Sequence, residues 1–271
     1  MENEFTTEDE LKAENELLRL KLEMEHGMLD FDTGQLKPEI ENQWLNYIYD
    51  YEQVYKDAKQ VKVIEYIGNP TFKKINELAP EEISAELDRL CDLMVAGGVR
   101  FTATCDYDDE LIYRFITEEL FEEEMADIRL DGTLQCFNYE EFHPNHDYDL
   151  RRYSDDFLRW IFEKTWTDDH AKYEMIDTIS FQGKDYDGPA ISQIIFAFQE
   201  EIRSFEVEEK NYKEVAFDLL EYTGHVVIQL SYVRNWNNGN SDKLKGDCHL
   251  YFKSEYGGWS LSGFGLPGLG N

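Results

Sequence analysis

The stretch VVIQLSYV, residues 226–233, sets Val226, Ile228, Leu230 and Tyr232 on one side of an extended chain and Val227, Gln229, Ser231 and Val233 on the other. A period of two over this length reads as a strand with one buried face. Downstream, a polar loop gives way to Cys248, Leu250 and Phe252 with the same alternation, and Gly257-Gly258-Trp259-Ser260-Leu261 begins a third extended run. Three such runs joined by turn residues predict an antiparallel meander, and Val215, Phe217 and Leu219 add a strand before it. The inner face of such a sheet lines either a core or a pocket.

Upstream of the strands, Pro189 opens an amphipathic helix with Ile191, Ile194, Ile195, Phe198 and Ile202 on one face. Before it, Met175 to Gln182 reads as a strand and Gly183 to Gly188 as a turn. Ser154, with Asp155 and Asp156, is the expected cap of a helix carrying Leu158, Ile161, Phe162 and Thr165. The order of Phe181-Gln182-Gly183, Gly188-Pro189-Ala190-Ile191, the strand Val226–Tyr232 and Gly257-Gly258-Trp259-Ser260-Leu261 resembles the NTF2-like superfamily over roughly residues 150–271. The resemblance implies a cystatin-like α+β cone, in which a curved antiparallel sheet packs on helices, and self-association through the outer face of the sheet. It also implies relatives of two kinds. Some are isomerases, dehydratases or cyclases with an acid–base carboxylate or histidine in the cone; others carry no chemistry, so fold does not settle function.

The first half matches no family pattern and reads as mostly helical. Thr7 and Glu10 have capping-box spacing, and Leu11, Leu18, Leu22 and Leu29 recur near every seventh residue, with Gly27 as a stop. That segment is open between a self-association arm and a docked or frayed acidic helix. Pro38 starts a helix whose stripe of Ile40, Trp44, Tyr47, Ile48, Tyr51 and Tyr55 reads as core. Residues 61–67 form a short strand or helical extension, and Pro80 opens a helix with Ile83, Leu87, Leu90 and Met94 inside, stopped by Gly97-Gly98. Val99 to Thr104 reads as a strand, Asp106 to Met125 as an acidic helix with a solvated Phe121-Glu122-Glu123-Glu124 face, Asp131-Gly132 as a turn and Thr133 to Phe142 as a strand. The expected partition is an acidic helix over 1–29, a mostly helical domain over 30–149 and the NTF2-like domain over 150–271.

Fifty-eight acidic against 26 basic side chains give a formal net charge of −32. Such a surface repels nucleic acids and anionic membranes, and the charge is open between a solubility layer and attraction of a basic partner or of divalent cations. With no apolar signal core after Met1, no run of 18 apolar residues and no CxxC among Cys91, Cys105, Cys136 and Cys248, a soluble, cytoplasmic protein with reduced thiols is expected.

Candidates for acid–base work are Asp218, Glu221, His225 and His249, with Tyr173 and Tyr232 as proton donors. Asp218, Glu221 and His225 flank strand ends, where polar residues occur anyway. His143-Pro144-Asn145-His146 reads as a β-turn with two imidazoles at its ends, open between a metal site and a rigid linker. Trp259 reads as a core plug, and Gly263 to Gly268 as a flexible tail rather than a phosphate cradle. No catalytic, cofactor or metal residue is assigned, and no cofactor is expected. The expected function is a non-catalytic interaction or small-ligand-binding module with a protein or small apolar partner and, as an option, a homodimer. The alternative is an acid–base enzyme of isomerase or dehydratase type acting on a small apolar molecule in the cone.

Overall fold

The computed structural model describes residues 7–27, 36–130, 132–255 and 257–270. Leu29, the Thr7 side chain of the expected cap and Asp131 of the expected turn lie outside them. The chain divides into two compact units, Met1–Phe142 and His143–Asn271.

In the first unit, helix α1 (Thr7–His26) packs against α2 (Pro38–Asp57), which proline opens at its first turn. Between them are buried Leu18, Leu22 and Leu45. Asn15 fixes the register: its amide donates to the carbonyl of Pro38 (2.9 Å) and accepts from Asn42 (2.9 Å), while Arg19 Nε bonds Glu41 at 3.0 Å. The expected core stripe of α2 is displaced as a result. Leu45 is fully buried, whereas Ile40, Tyr47 and Tyr55 are about half exposed. Ile48 and Tyr49 pack against this leucine cluster from the side, so the face of α2 that meets α1 is the one centred on Leu45.

The rest of this unit builds a second core from short elements. Strand β1 (Gln60–Lys62) runs into α3 (Val63–Tyr66); α4 (Ile83–Ala96) buries Ile83, Leu90 and Met94 before Gly97 and Gly98 end it. Strand β2 (Val99–Thr102) follows. The expected long acidic helix is only α5 (Asp109–Arg114), capped by the Asp108 side chain, continued by a π-type turn over Phe115–Glu119 and a tight 3-10 turn over Leu120–Glu122. These turns swing Phe121 inside, at 1% exposure, while Glu122, Glu123 and Glu124 stay exposed as expected. Met125 lies in strand β3 (Glu124–Ala126), antiparallel to β1. The expected strand over 133–142 is shorter, β4 (Gln135–Asn138), parallel to β2, and yields to the one-turn helix α6 (Tyr139–Phe142). Two ladders therefore stand where little extended structure was expected.

In the second unit, α7 (His146–Phe162) begins before residue 150, so the expected boundary at 149/150 falls inside a helix. Asn145, not Ser154, is its cap: the Asn145 side chain accepts from the Tyr148 amide (3.1 Å), while buried Ser154 donates to the Leu150 carbonyl within the helix (2.6 Å). After α8 (Asp168–Tyr173) come β5 (Met175–Phe181), β6 (Lys184–Tyr186), α9 (Gly188–Glu200), β7 (Ile202–Asp218), β8 (Thr223–Trp236), β9 (Ser241–Glu255) and β10 (Gly258–Gly265). The expected turn over 183–188 thus holds a strand, and Ile202 starts β7 rather than ending α9.

The six strands lie in the order β6-β5-β10-β9-β8-β7. The meander β7 to β10 is antiparallel, as is β5–β6, but β10 pairs with β5 in parallel. The sheet is therefore mixed rather than wholly antiparallel, because α9 and three long strands intervene between β5 and β10 and allow the chain to return in the same direction. Register shifts at three points between β7 and β8, and one at Leu261/Gly263, bend it. At that last bend a Cβ on Gly263 would sit 2.9 Å from the Ser180 carbonyl oxygen, so only glycine lets the strands close up.

This curved sheet wraps α7 and α9. Val226, Ile228, Leu230 and Tyr232 face inward with Cys248, Leu250 and Phe252, all at 2% exposure or less. From the helices, Leu150, Phe157, Ile161, Ile191 and Ile195 meet them in one cluster. Gln199 donates to the carbonyls of Ile161 (2.8 Å) and Trp160 (3.3 Å), satisfying the open end of α7. The second unit is thus a cone in which a curved mixed sheet packs on helices, and the chain is α+β.

Candidate functional site

Buried apolar side chains pack the inside of the cone in one cluster. A void among them, between Tyr153, Phe157, Trp160, Glu174, Met175, Phe252 and Leu261, is about 10 Å³. That is room for one water, far below a ligand pocket. Burial pushes the Cys248 thiol up to about 12, which leaves it inert as a nucleophile. Tyr232 is buried too, its hydroxyl donating to the Pro267 carbonyl, and burial raises its pKa. That bond helps anchor the C-terminal segment. Arg234 Nη1 bonds the Gly268 carbonyl (3.1 Å), the Gln182 amide bonds those of Leu269 (3.1 Å) and Gly270 (2.9 Å), and Leu266 and Leu269 are buried. The expected flexible tail is therefore a plug across one end of the cone.

Trp259 fills the other side at 3% exposure. Its indole N–H donates to Nδ1 of His146 (3.2 Å), and the two rings meet edge to face at 5.6 Å. His146 is the first residue of α7, so the expected β-turn from His143 to His146 is instead a helix start, created by the Asn145 cap. With Nδ1 accepting from indole and the ring against Phe217, that imidazole is a packing element. Among the described residues no group of three or more His, Cys, Asp or Glu could hold a metal ion.

The other acid–base candidates lie outside the cone. Asp218 accepts from the amides of Leu220 (2.8 Å) and Glu221 (3.1 Å), shaping the exposed turn between β7 and β8. Tyr173 is two-thirds exposed at the end of α8. His225 and His249 alternate with the buried residues of β8 and β9, so both side chains stand on the outer face of the sheet. There Nε2 of His225 and Nδ1 of His249 are 3.3 Å apart, with ring planes within 11°. Tyr251, opposite His225 in register, lies parallel to it with centroids at 4.7 Å. Burial, then the neighbouring His249, lowers the His225 pKa, against the opposing pull of Glu214.

One ligand-sized hollow was not legible in the sequence. A groove of about 620 Å³ runs between α8, the start of β5 and the first turns of α9. Its apolar lining is Ala171, Met175, Ile176, Pro189 and Phe196; its charged lining is Asp168, Asp177 and Asp187 against one base, Lys172. Asp187 also caps α9 through the Ala190 amide (2.9 Å). Beneath, the Trp166 indole donates to buried Ser192 (3.2 Å), tying the loop before α8 to α9. One signal was available: Phe196 stands off the buried face of α9 and is 40% exposed.

No protein-family model matches this chain, and no curated protein does. Among solved structures, a protein from Kribbella flavida is similar at 11% identity, covering 46% of this chain and 93% of its own, with a TM-score of 0.40. A conserved protein from Planctomyces limnophilus is similar at 13% identity (45% and 96% covered, TM-score 0.37). A third, a hexachlorocyclohexane dehydrochlorinase from Novosphingobium barchaimii, stands at 12% identity (46% and 90%, TM-score 0.35). Similarity at this level carries nothing about chemistry. Among the described residues no helix is long and apolar enough to cross a membrane.

Proposed function

We propose that this protein is a non-catalytic binding module whose second unit holds a basic ligand, either a cationic peptide segment or a small amphipathic cation, in the groove between α8, β5 and α9. One observation carries the reading: the cone is occupied by its own apolar side chains, while a ligand-sized hollow with acidic side chains in its lining opens beside it. An apolar lining with a few charged groups is the usual make-up of a binding site. The net charge of −32 adds long-range attraction for a cation. The acid–base alternative needs a carboxylate or imidazole aimed into a cavity, and its candidates Asp218, Glu221, His225 and His249 lie on a turn and on the outer sheet face.

The test is a fluorescence-polarisation titration of the intact chain with labelled basic and acidic peptides of equal length. The basic peptide is expected to bind, more weakly as salt rises, and Asp177→Lys or Phe196→Lys is expected to abolish binding. Equal response to both peptides, or variants that bind as the wild type does, would overturn the reading.

A further inference from the structure

Two imidazoles meet on the outer face of the sheet. His225 on β8 and His249 on β9 form a diagonal pair, because His225 stands opposite Tyr251 and His249 opposite Val227. Their centroids are 5.5 Å apart and their facing nitrogens 3.3 Å, so the rings meet edge to edge rather than face to face. In this arrangement the two facing nitrogens are directed nearly at each other, as in an N–H···N hydrogen bond. Two nitrogens bound to one tetrahedral zinc at about 2.05 Å are separated by about 3.3 Å, so the distance already fits and a small rotation of each ring turns its lone pair to a shared ion.

We infer that His225 Nε2 and His249 Nδ1 form a two-histidine anchor for a borderline transition-metal ion, Cu²⁺, Ni²⁺ or Zn²⁺, on the outer face of the sheet. Two further observations support it. Both residues sit on adjacent strands within one antiparallel ladder, so their spacing is fixed by backbone hydrogen bonds rather than by a loop. Tyr251 stacks parallel on the His225 ring at 4.7 Å. Without metal the same nitrogens share one N–H···N hydrogen bond; with metal both lone pairs turn to the ion, and each ring carries its proton on the other nitrogen. Water, or a donor from a bound partner, takes the remaining positions. The site is separate from the α8–β5–α9 groove and does not depend on the function proposed for it.

Isothermal titration of the intact chain with Cu²⁺, Ni²⁺ and Zn²⁺, in buffer containing Mg²⁺ to occupy weak carboxylate sites, tests this. A saturable one-to-one event is expected, tightest for Cu²⁺ as the usual order of divalent affinities requires. It is expected to vanish in His225→Gln and in His249→Gln and to persist in His143→Ala. If either glutamine variant misfolds by circular dichroism, substoichiometric Cu²⁺ added to the wild type is read by proton NMR. The imidazole signals of His225 and His249 are then expected to broaden first among the six histidines. Absence of saturable binding, binding that survives both glutamine variants, or first broadening at other histidines would overturn the inference.

Discussion

Replacing Trp259 with alanine tests whether the cone is a filled core. The indole is 3% exposed, bonded to His146 and packed under Gly224, where a Cβ would come within 3.3 Å of it. A buried aromatic removes about 150–250 Å² from water. At about 25 cal/mol per Å² that is roughly 4–6 kcal/mol, an upper figure because the unfolded chain already hides part of it. Measured truncations of buried aromatics cluster at about 3–5 kcal/mol, and that is the loss expected for Trp259→Ala. Trp259→Phe refills most of the volume and forfeits the hydrogen bond to His146, so a loss of about 1–2 kcal/mol is expected. Urea unfolding followed by tryptophan fluorescence reads this unit, since Trp160, Trp166, Trp236 and Trp259 lie in it and Trp44 alone in the other. A loss under about 1 kcal/mol for the alanine variant would refute the core-plug assignment.

Three further outcomes follow from the same packing. Gly224→Ala places a methyl 2.9 Å from Leu150 Cδ2, and is expected to cost about 1–3 kcal/mol by crowding in the same urea assay; an unchanged midpoint would contradict it. Leu45→Ala removes the fully buried leucine between α1 and α2, at about 2–5 kcal/mol; hydrogen exchange is expected to show both helices losing protection together while α4 keeps its own, and unchanged protection would refute it. His225 is held below its unfolded pKa of about 6.5, chiefly by burial, so between its folded pKa and about 6.5 the unfolded state binds the proton that the folded state does not. Stability is therefore flat above that window and falls as pH drops through it. Thermal melts of His225→Gln are expected to lack this part of the slope, and parallel wild-type and variant profiles would refute it.

The residues that announced themselves in the sequence did so through local periodicity. Alternation at Val226–Tyr232 and Cys248–Phe252 is dictated by which face of a strand meets water, and it holds wherever the strand pairs. The same holds for the face of α9 set by Ile191 and Ile195, and for the helix starts at Pro38 and Pro189, where a missing N–H and a fixed φ act within one turn.

What depended on distant partners was not legible in that way. The burial of Leu45 in place of the α2 tyrosines follows from the arrival of α1. The anchoring of Leu266 and Leu269 follows from Gln182 and Arg234, remote in the chain, and the parallel pairing of β5 with β10 from a long excursion of the backbone. Both proposed sites are of this second kind. The groove is the gap left where α8, β5 and α9 meet, and the His225–His249 pair exists because ladder register, which no single strand encodes, brings residues 24 apart within hydrogen-bonding distance. Sequence alone determined that this chain builds an apolar sheet against amphipathic helices under an acidic surface. Tertiary structure decided that the cone is full and where the open space lies, because volume is a property of the assembled elements and not of any one of them.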